Sequence, residues 1–200
     1  IFGVDKADGT VELGDTLLEK RSPPLSRNFG IAMVPENRKT EGNITQRTVS
    51  ENINITILDR LSGRFGFLSP KDCASQANRM IERMNIEPAN PRQNIENLSG
   101  GNQQKVIIAR WLVAESKVII FDEPTQGIDV GTKAQLYKLI NELACKGHAI
   151  ILISSEMLEI AKLADRILII QNGRMVQELV GPLDDETELL DACYSRGESE

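Results

Sequence analysis

The stretch Val118-Ile119-Ile120-Phe121-Asp122-Glu123-Pro124-Thr125, VIIFDEPT, decides the fold. Four consecutive apolar residues suit a strand of a parallel sheet with both faces covered. The run stops at two adjacent carboxylates and a proline. In open α/β sheets, ligands bind beyond the carboxyl ends of the strands. An aspartate placed there can help hold Mg²⁺ near nucleotide phosphates, and a neighbouring glutamate can polarise an attacking water. A bare Asp-Glu-Pro also reads as a solvated strand end followed by a proline turn. The flanking residues choose between these readings.

Thr125-Gln126-Gly127-Ile128-Asp129 follows at once. Upstream lies Leu98-Ser99-Gly100-Gly101-Asn102-Gln103-Gln104-Lys105-Val106, with a helical run extending to about Ala114. A serine and two glycines ahead of a helix leave backbone N–H groups bare at its N-terminus, a ready anion site. Glycine allows close approach of a phosphate to the backbone. By itself, Ser-Gly-Gly is more often a turn that leads a helix. Its place shortly before VIIFDEPT gives it weight as a phosphate site.

The chain has 200 residues, 40% apolar and 26% charged, with net charge -6. That composition fits one globular domain with a real core, with room for a smaller subdomain. The acidic balance argues against nucleic acid as the main partner. Cys73, Cys145 and Cys193 show no metal-type spacing and read as reduced thiols. No apolar run reaches the ~20 residues of a membrane span. Ile1-Phe2-Gly3-Val4 reads as the end of a helix, and the absence of an initiator methionine leads us to expect a segment upstream.

Strands are expected at Thr10 to Leu13, Ile31 to Val34, Val118 to Phe121, Ala149 to Ser154, Arg166 to Ile170 and Met175 to Glu178. Ala149 to Ser154 resembles Val118 to Phe121 in being continuously apolar. Thr48-Val49-Ser50-Glu51 is a capping box, followed by Val49, Ile53 and Ile57 on one helical face. Ser69 and Pro70 open a second helix, with Ala74, Ala77, Ile81 and Met84 facing inward. A third runs from Thr132 to Ala144, with Leu136, Leu139, Ile140 and Leu143 inward and Gly147 shortly beyond its end. From Thr48 to Asn97 helices dominate, which reads as a helical subdomain inserted in an α/β core. The acidic tail from Gly181 to Glu200 reads as a helix or as partly disordered. His148 and Trp111 read as structural, Arg38-Lys39 as facing phosphates, an acidic partner or solvent. Arg60, Arg64 and Lys71 form no basic stripe.

Taken together, LSGGNQQKV and VIIFDEPTQGID resemble the nucleotide-binding domain of ATP-binding cassette transporters, over about Ile1 to Leu179. The resemblance implies an α/β, truncated P-loop NTPase (RecA-like) core with an inserted α-helical subdomain. It divides the chain into an N-terminal part of the core (1–47), the helical subdomain with the signature motif (48–114), the rest of the core (115–180) and a tail (181–200). Asp122 matches the Walker B aspartate that holds Mg²⁺, Glu123 the catalytic glutamate and Asp129 the D-loop aspartate. Leu98, Ser99, Gly100, Gly101, Asn102 and Gln103 match the signature that contacts ATP. Pro35-Glu36-Asn37-Arg38-Lys39-Thr40-Glu41-Gly42 is similar to the Pro-Glu-Asp-Arg-Lys-x-Glu-Gly run of bacterial monosaccharide importers of the ribose, galactose and arabinose type. That run belongs to the second of their two nucleotide-binding domains. Asn102 and Ile153-Ser154-Ser155-Glu156-Met157 suit the same group.

The sequence departs from the general family pattern in three places. Glu36 stands at the Q-loop glutamine, Ser155 stands at the switch histidine, and no Gly-x-x-x-x-Gly-Lys-Ser/Thr loop occurs. The resemblance therefore implies a chain that does not bind or hydrolyse ATP alone. It would instead supply its signature to a partner domain bearing an intact P-loop. The implied partners are such a domain, transmembrane permease subunits and, indirectly, a periplasmic sugar-binding protein; no nucleic acid is expected. The implied place is cytoplasmic, on the inner face of the bacterial membrane. A non-catalytic interaction module is the alternative, and a soluble cassette acting on DNA or ribosomes is a third reading. A missing central strand would leave open sheet edges, so self-association is expected.

Overall fold

The computed structural model describes residues 1–63 and 66–194. Arg64, and the part of the acidic tail from 195 to 200, lie outside the described residues. The elements run β1 (Val11–Leu13), β2 (Thr16–Leu18), α1 (Pro23–Asn28), β3 (Ile31–Val34), α2 (Val49–Asn54), α3 (Leu58–Leu61), α4 (Pro70–Met84) and α5 (Gly100–Val113). They continue as β4 (Val118–Asp122), α6 (Val130–Cys145), β5 (Ala149–Ile153), α7 (Met157–Leu163), β6 (Arg166–Gln171), β7 (Arg174–Val180) and α8 (Thr187–Tyr194). A π-helical turn, Arg38–Gly42, follows β3.

Strands β3, β4 and β5 form a parallel sheet with β4 in the middle, as its unbroken apolar run requires. Val34 pairs with Phe121, and Phe121 with Leu152, so all three strands end level. This register brings the chain after each strand to one edge, where Glu36, Asp122, Glu123 and Ser155 are found. Strand β5 was expected to be covered on both faces, but its residues are half-buried or exposed. Among the described residues it has a strand neighbour on one side only. Two antiparallel pairs, β1–β2 and β6–β7, complete the strands.

The helical region formed as its caps dictate. Thr48 accepts from the Glu51 amide while Glu51 accepts from Thr48, and Ser69 caps α4 ahead of Pro70. Val49, Ile53 and Ile57 are all buried, although Ile57 already lies in a 3₁₀ turn. In α4, Ala77, Ile81 and Met84 are buried, joined by Met80, while Ala74 is only half-buried. In α6, Leu136, Ile140 and Leu143 are buried and Leu139 packs against the same core. One cluster unites α2, α4 and α5 with β3, β4 and α6, including Val34, Ile53, Ile81, Ile107, Phe121 and Ile140.

Three local expectations need correction or extension. Ile1 to Val4 forms no helix; Gly3 sits at φ +86 against the backbone of Arg21 and Ser22, so its positive φ serves a close approach rather than a helix end. Strand β2 was not expected, since three residues are too few to show alternation. The tail carries α8, whose Leu189 and Ala192 pack on β6 and α7. Trp111 meets Phe2 edge to face at 5.7 Å, and His148 Nδ1 lies 2.9 Å from the Ser116 carbonyl, so both are structural. Among the described residues no helix is long and apolar enough to cross a membrane.

Candidate functional site

Asp122 ends β4, half-buried, beside Glu36, Glu123 and Glu41. Burial, then repulsion from Glu36, Glu123 and Glu41, pushes its carboxyl above the usual range. A divalent cation would relieve that repulsion. Among the described residues no three acidic, imidazole or thiolate groups converge as metal ligands. A single strand-end carboxylate would fit Mg²⁺, which takes one or two protein carboxylates and fills its other positions with phosphate and water. A carboxyl raised in the folded state destabilises as pH climbs from the ordinary carboxylate range through the raised value. Asp122→Asn should therefore melt slightly above the parent at neutral pH, with the gap closing in acid. Melting curves across pH check this; a variant less stable than the parent at every pH would contradict it.

Glu123 lies just beyond the strand at φ +42, in the region that favours glycine. Its amide donates to the Ile153 carbonyl at 2.9 Å, and its carboxylate accepts from the Ser155 hydroxyl at 3.1 Å. The two candidate catalytic residues therefore touch. Glu36 accepts from the Gln126 side chain at 3.0 Å, which joins the loop after β3 to the turn after β4.

The serine-glycine loop opens α5 as expected. Ser99 Oγ accepts from the Asn102 amide at 3.4 Å and from the Asn102 side chain at 3.0 Å, leaving its own proton to donate outward. Gly100 and Gly101 hold the first two helical positions, where an amide has no intrahelical acceptor. Leu98 belongs to the core. Asn102 also accepts from the Glu87 amide at 3.0 Å. Gln103 is buried, donating to the Leu98 carbonyl at 3.0 Å and accepting from Asn43 at 3.3 Å, so its polar ends are committed inside the fold. What remains at the surface is Ser99 and, in part, Gly100, whereas Gly101 is buried.

Asp129 caps α6, accepting from the Thr132 amide at 3.0 Å and its hydroxyl at 2.7 Å. These bonds from Thr132 hold its carboxyl below the usual range. Thr132 in turn presses on the signature: a Cβ on Gly101 would lie 2.2 Å from Thr132 Cγ2. Gly101→Ala should cost about 1–3 kcal/mol as an overpacking change, because the Thr132 hydroxyl bond to Asp129 resists rotation. Adding Thr132→Ser removes the methyl, keeps the hydroxyl and should restore most of the loss in thermal melts. A stable single variant would show that the contact yields.

Sequence reading missed how Arg38 serves the site. It donates to the carbonyls of Gln126 at 3.0 Å and Gly127 at 3.3 Å, and its guanidinium lies over Gly100, where a Cβ would be 2.7 Å from Nη2. One side chain thus spans the loop after β3, the turn after β4 and the start of α5. Its place in the Pro-Glu-Asn-Arg-Lys run was the sequence signal, and it did not distinguish an internal latch from a solvated cation.

Comparison with known proteins places this geometry. The profile of the family described as ABC transporter matches residues 2–126. The arabinose import ATP-binding protein AraG of Rhizobium etli is 41% identical over 195 residues, covering 96% of this chain and 39% of that protein. The ribose import ATP-binding protein RbsA of Oceanobacillus iheyensis is 42% identical over 181 residues, covering 90% of this chain and 36% of that protein. The chain therefore spans well under half the length of these curated relatives. A nucleotide-free ATP-binding cassette from an ABC transporter superposes with TM-score 0.76 at 21% identity, covering 90% of this chain and 73% of that one. A dimeric cassette, MJ0796, bound to ADP and Pi, gives 0.70 at 20% identity, covering 88% and 75%. With the α/β cassette fold of the P-loop NTPases and a family match across its signature and Walker B strand, this chain belongs to the ABC transporter family, as an ATP-binding domain resembling those of sugar importers.

Proposed function

We propose that the chain is part of the ATP-binding subunit of a bacterial sugar importer, corresponding to its second nucleotide-binding domain. The observation that carries this reading is the carboxyl edge of β4 and β5, where Glu123, next to Asp122, accepts from the Ser155 hydroxyl. Arg38 reaches from the turn after that edge to the start of α5 at Gly100, beside Ser99. Identity of 41–42% with arabinose and ribose import proteins supports the substrate class.

In this reading Asp122 would hold Mg²⁺, which neutralises phosphate charge when bound, and Glu123 would orient an attacking water, with Ser155 in place of the switch histidine. Ser99 and the Gly100 and Gly101 amides close over the ATP of a partner cassette. Such donors act by charge stabilisation and positioning. The chain divides into core (1–47 and 115–180), helical subdomain (48–114) and tail (181–200). The helical subdomain and the Glu36 loop form the face toward a permease on the inner side of the membrane, and a periplasmic sugar-binding protein acts on the assembly from the other side. Having no Gly-Lys-Ser/Thr loop in its 200 residues, the chain alone neither binds nor hydrolyses ATP.

Calorimetric titration of the chain with Mg-ATP tests this. The expected result is no binding heat alone, and ATP-dependent complex formation once a cassette with an intact P-loop is added. Micromolar binding by the chain alone would overturn it. A chain that docks to a permease but never closes over a partner's ATP would instead be a non-catalytic interaction module, a reading favoured by Glu36 and Ser155 at their two family positions.

A further inference from the structure

Glu159, the third residue of α7, is 0% exposed, yet no role has been assigned to it. A buried carboxyl is costly unless hydrogen-bonded. Its Oε2 accepts from the Thr125 hydroxyl at 3.3 Å and from the Ser154 hydroxyl at 2.5 Å. Its Oε1 is buried without a hydrogen-bond partner. Thr125, itself buried, lies in the turn that follows Glu123, and Ser154 leads directly into Ser155. Ser154 also accepts from the Glu156 amide at 3.0 Å, so the chain on both sides of Ser155 is held.

We propose that Glu159 is a positioning residue that sets Glu123 and Ser155 against each other by tying the Thr125 and Ser154 hydroxyls to one carboxyl oxygen. The inference rests on reading Glu123 and Ser155 as the nucleotide-facing pair, and gives that site a support beneath its surface. Without the tie, the hydrogen bonds that join the turn after β4 to the chain after β5 among the described residues are the Glu123 amide bond to Ile153 and the exposed Ser155–Glu123 contact. Glu123 is also held at positive φ, a conformation that persists only where its surroundings enforce it. Burial raises the carboxyl of Glu159 above the usual range, against the opposing effect of the bonds it accepts from Ser154 and Thr125. Among the described residues no salt bridge reaches Glu159, and Lys133 is paired with its neighbour Glu156.

The test uses the 200-residue chain and no nucleotide, so its outcome is independent of whether the nucleotide reading holds. Hydrogen exchange at the Glu123 amide, and the carboxyl carbon signal of Glu123, are compared by NMR in the parent, Glu159→Gln and Glu159→Leu. Glutamine keeps an acceptor oxygen and should leave both signals in place. Leucine should abolish protection of the Glu123 amide and move its carboxyl signal to that of a free glutamate, with the methyls of Ile81 and Ile107 undisturbed. Should the leucine chain not fold, Thr125→Val with Ser154→Ala removes the same two bonds from the other side and should give the same loss. Unchanged Glu123 signals in the leucine or paired variant would overturn the proposal, as would a glutamine variant as disturbed as leucine.

Discussion

Replacing Arg110 by methionine is expected to destabilise the chain by about 3 kcal/mol or more, lowering its melting temperature by roughly 6–12 °C for a domain of this size. Arg110 lies in the apolar run of α5 and is buried. It has no carboxylate partner among the described residues. Instead its guanidinium donates to the Gly42 carbonyl at 2.6 Å, the Asn52 carbonyl at 2.8 Å and Asn52 Oδ1 at 2.9 Å. Burial lowers its pKa to about 10, so it is still a cation at neutral pH. Asn52 is wholly buried and passes the constraint on, accepting from the Ile44 amide and donating to the carbonyls of Ile44, Arg47 and Thr48. Methionine fills the space but removes all three guanidinium bonds, and of those acceptors Asn52 Oδ1 keeps the Ile44 amide. Lysine should recover little, because an ammonium cannot reproduce the planar fork. Equilibrium unfolding in urea measures the effect; a loss below about 1 kcal/mol would mean that water replaces the guanidinium.

This network also shows where the sequence stopped being informative. The middle strand was readable because VIIF is continuously apolar, α2 and α4 because Thr48 and Ser69 cap them through bonds that span three residues, α5 from the serine and glycines ahead of its run, and α6 from the spacing of Leu136, Leu139, Ile140 and Leu143. Caps are local, so spacing reveals them. The parallel register then brings Asp122, Glu123 and Ser155 together with no further information. Arg110 with Asn52, Arg38 with Gly100 and Glu159 with Thr125 depend on segments distant in the chain, and nothing in their own neighbourhoods marks them. The full burial expected for β5 failed for a related reason: an apolar run states what a strand can tolerate, not which neighbours cover it. Gln103 sits in the signature run by position, yet its side chain serves the interior, which only the surrounding helices determine.

The uncovered strands lead to the second large effect: the chain should self-associate at micromolar concentrations, as exposed edges and apolar surface promote. Strand β5 has no strand beside it on the side away from β4, and β6 none on the side away from β7, among the described residues. Neither edge is guarded in its middle. The run Ala149-Ile150-Ile151-Leu152-Ile153 holds no charge, and in Arg166-Ile167-Leu168-Ile169-Ile170-Gln171 the only charge is at the start. Large apolar side chains stand in solvent along them, Ile153 at 48%, Leu168 at 45% and Ile170 at 67% exposure. A net charge of -6 opposes association by general repulsion, but that repulsion is screened at physiological salt while strand pairing and apolar burial are not. Light scattering of the chain should therefore report a mass of at least a dimer. Ile153→Lys combined with Ile170→Lys places a charge on each open strand, as natural edge strands do. Both side chains are partly solvated already, so the folded chain tolerates the change, and the double variant should move to the monomer mass. A parent that is monomeric at the same concentration would show that the two edges are not free to pair, and an associated double variant would move the contact to another face.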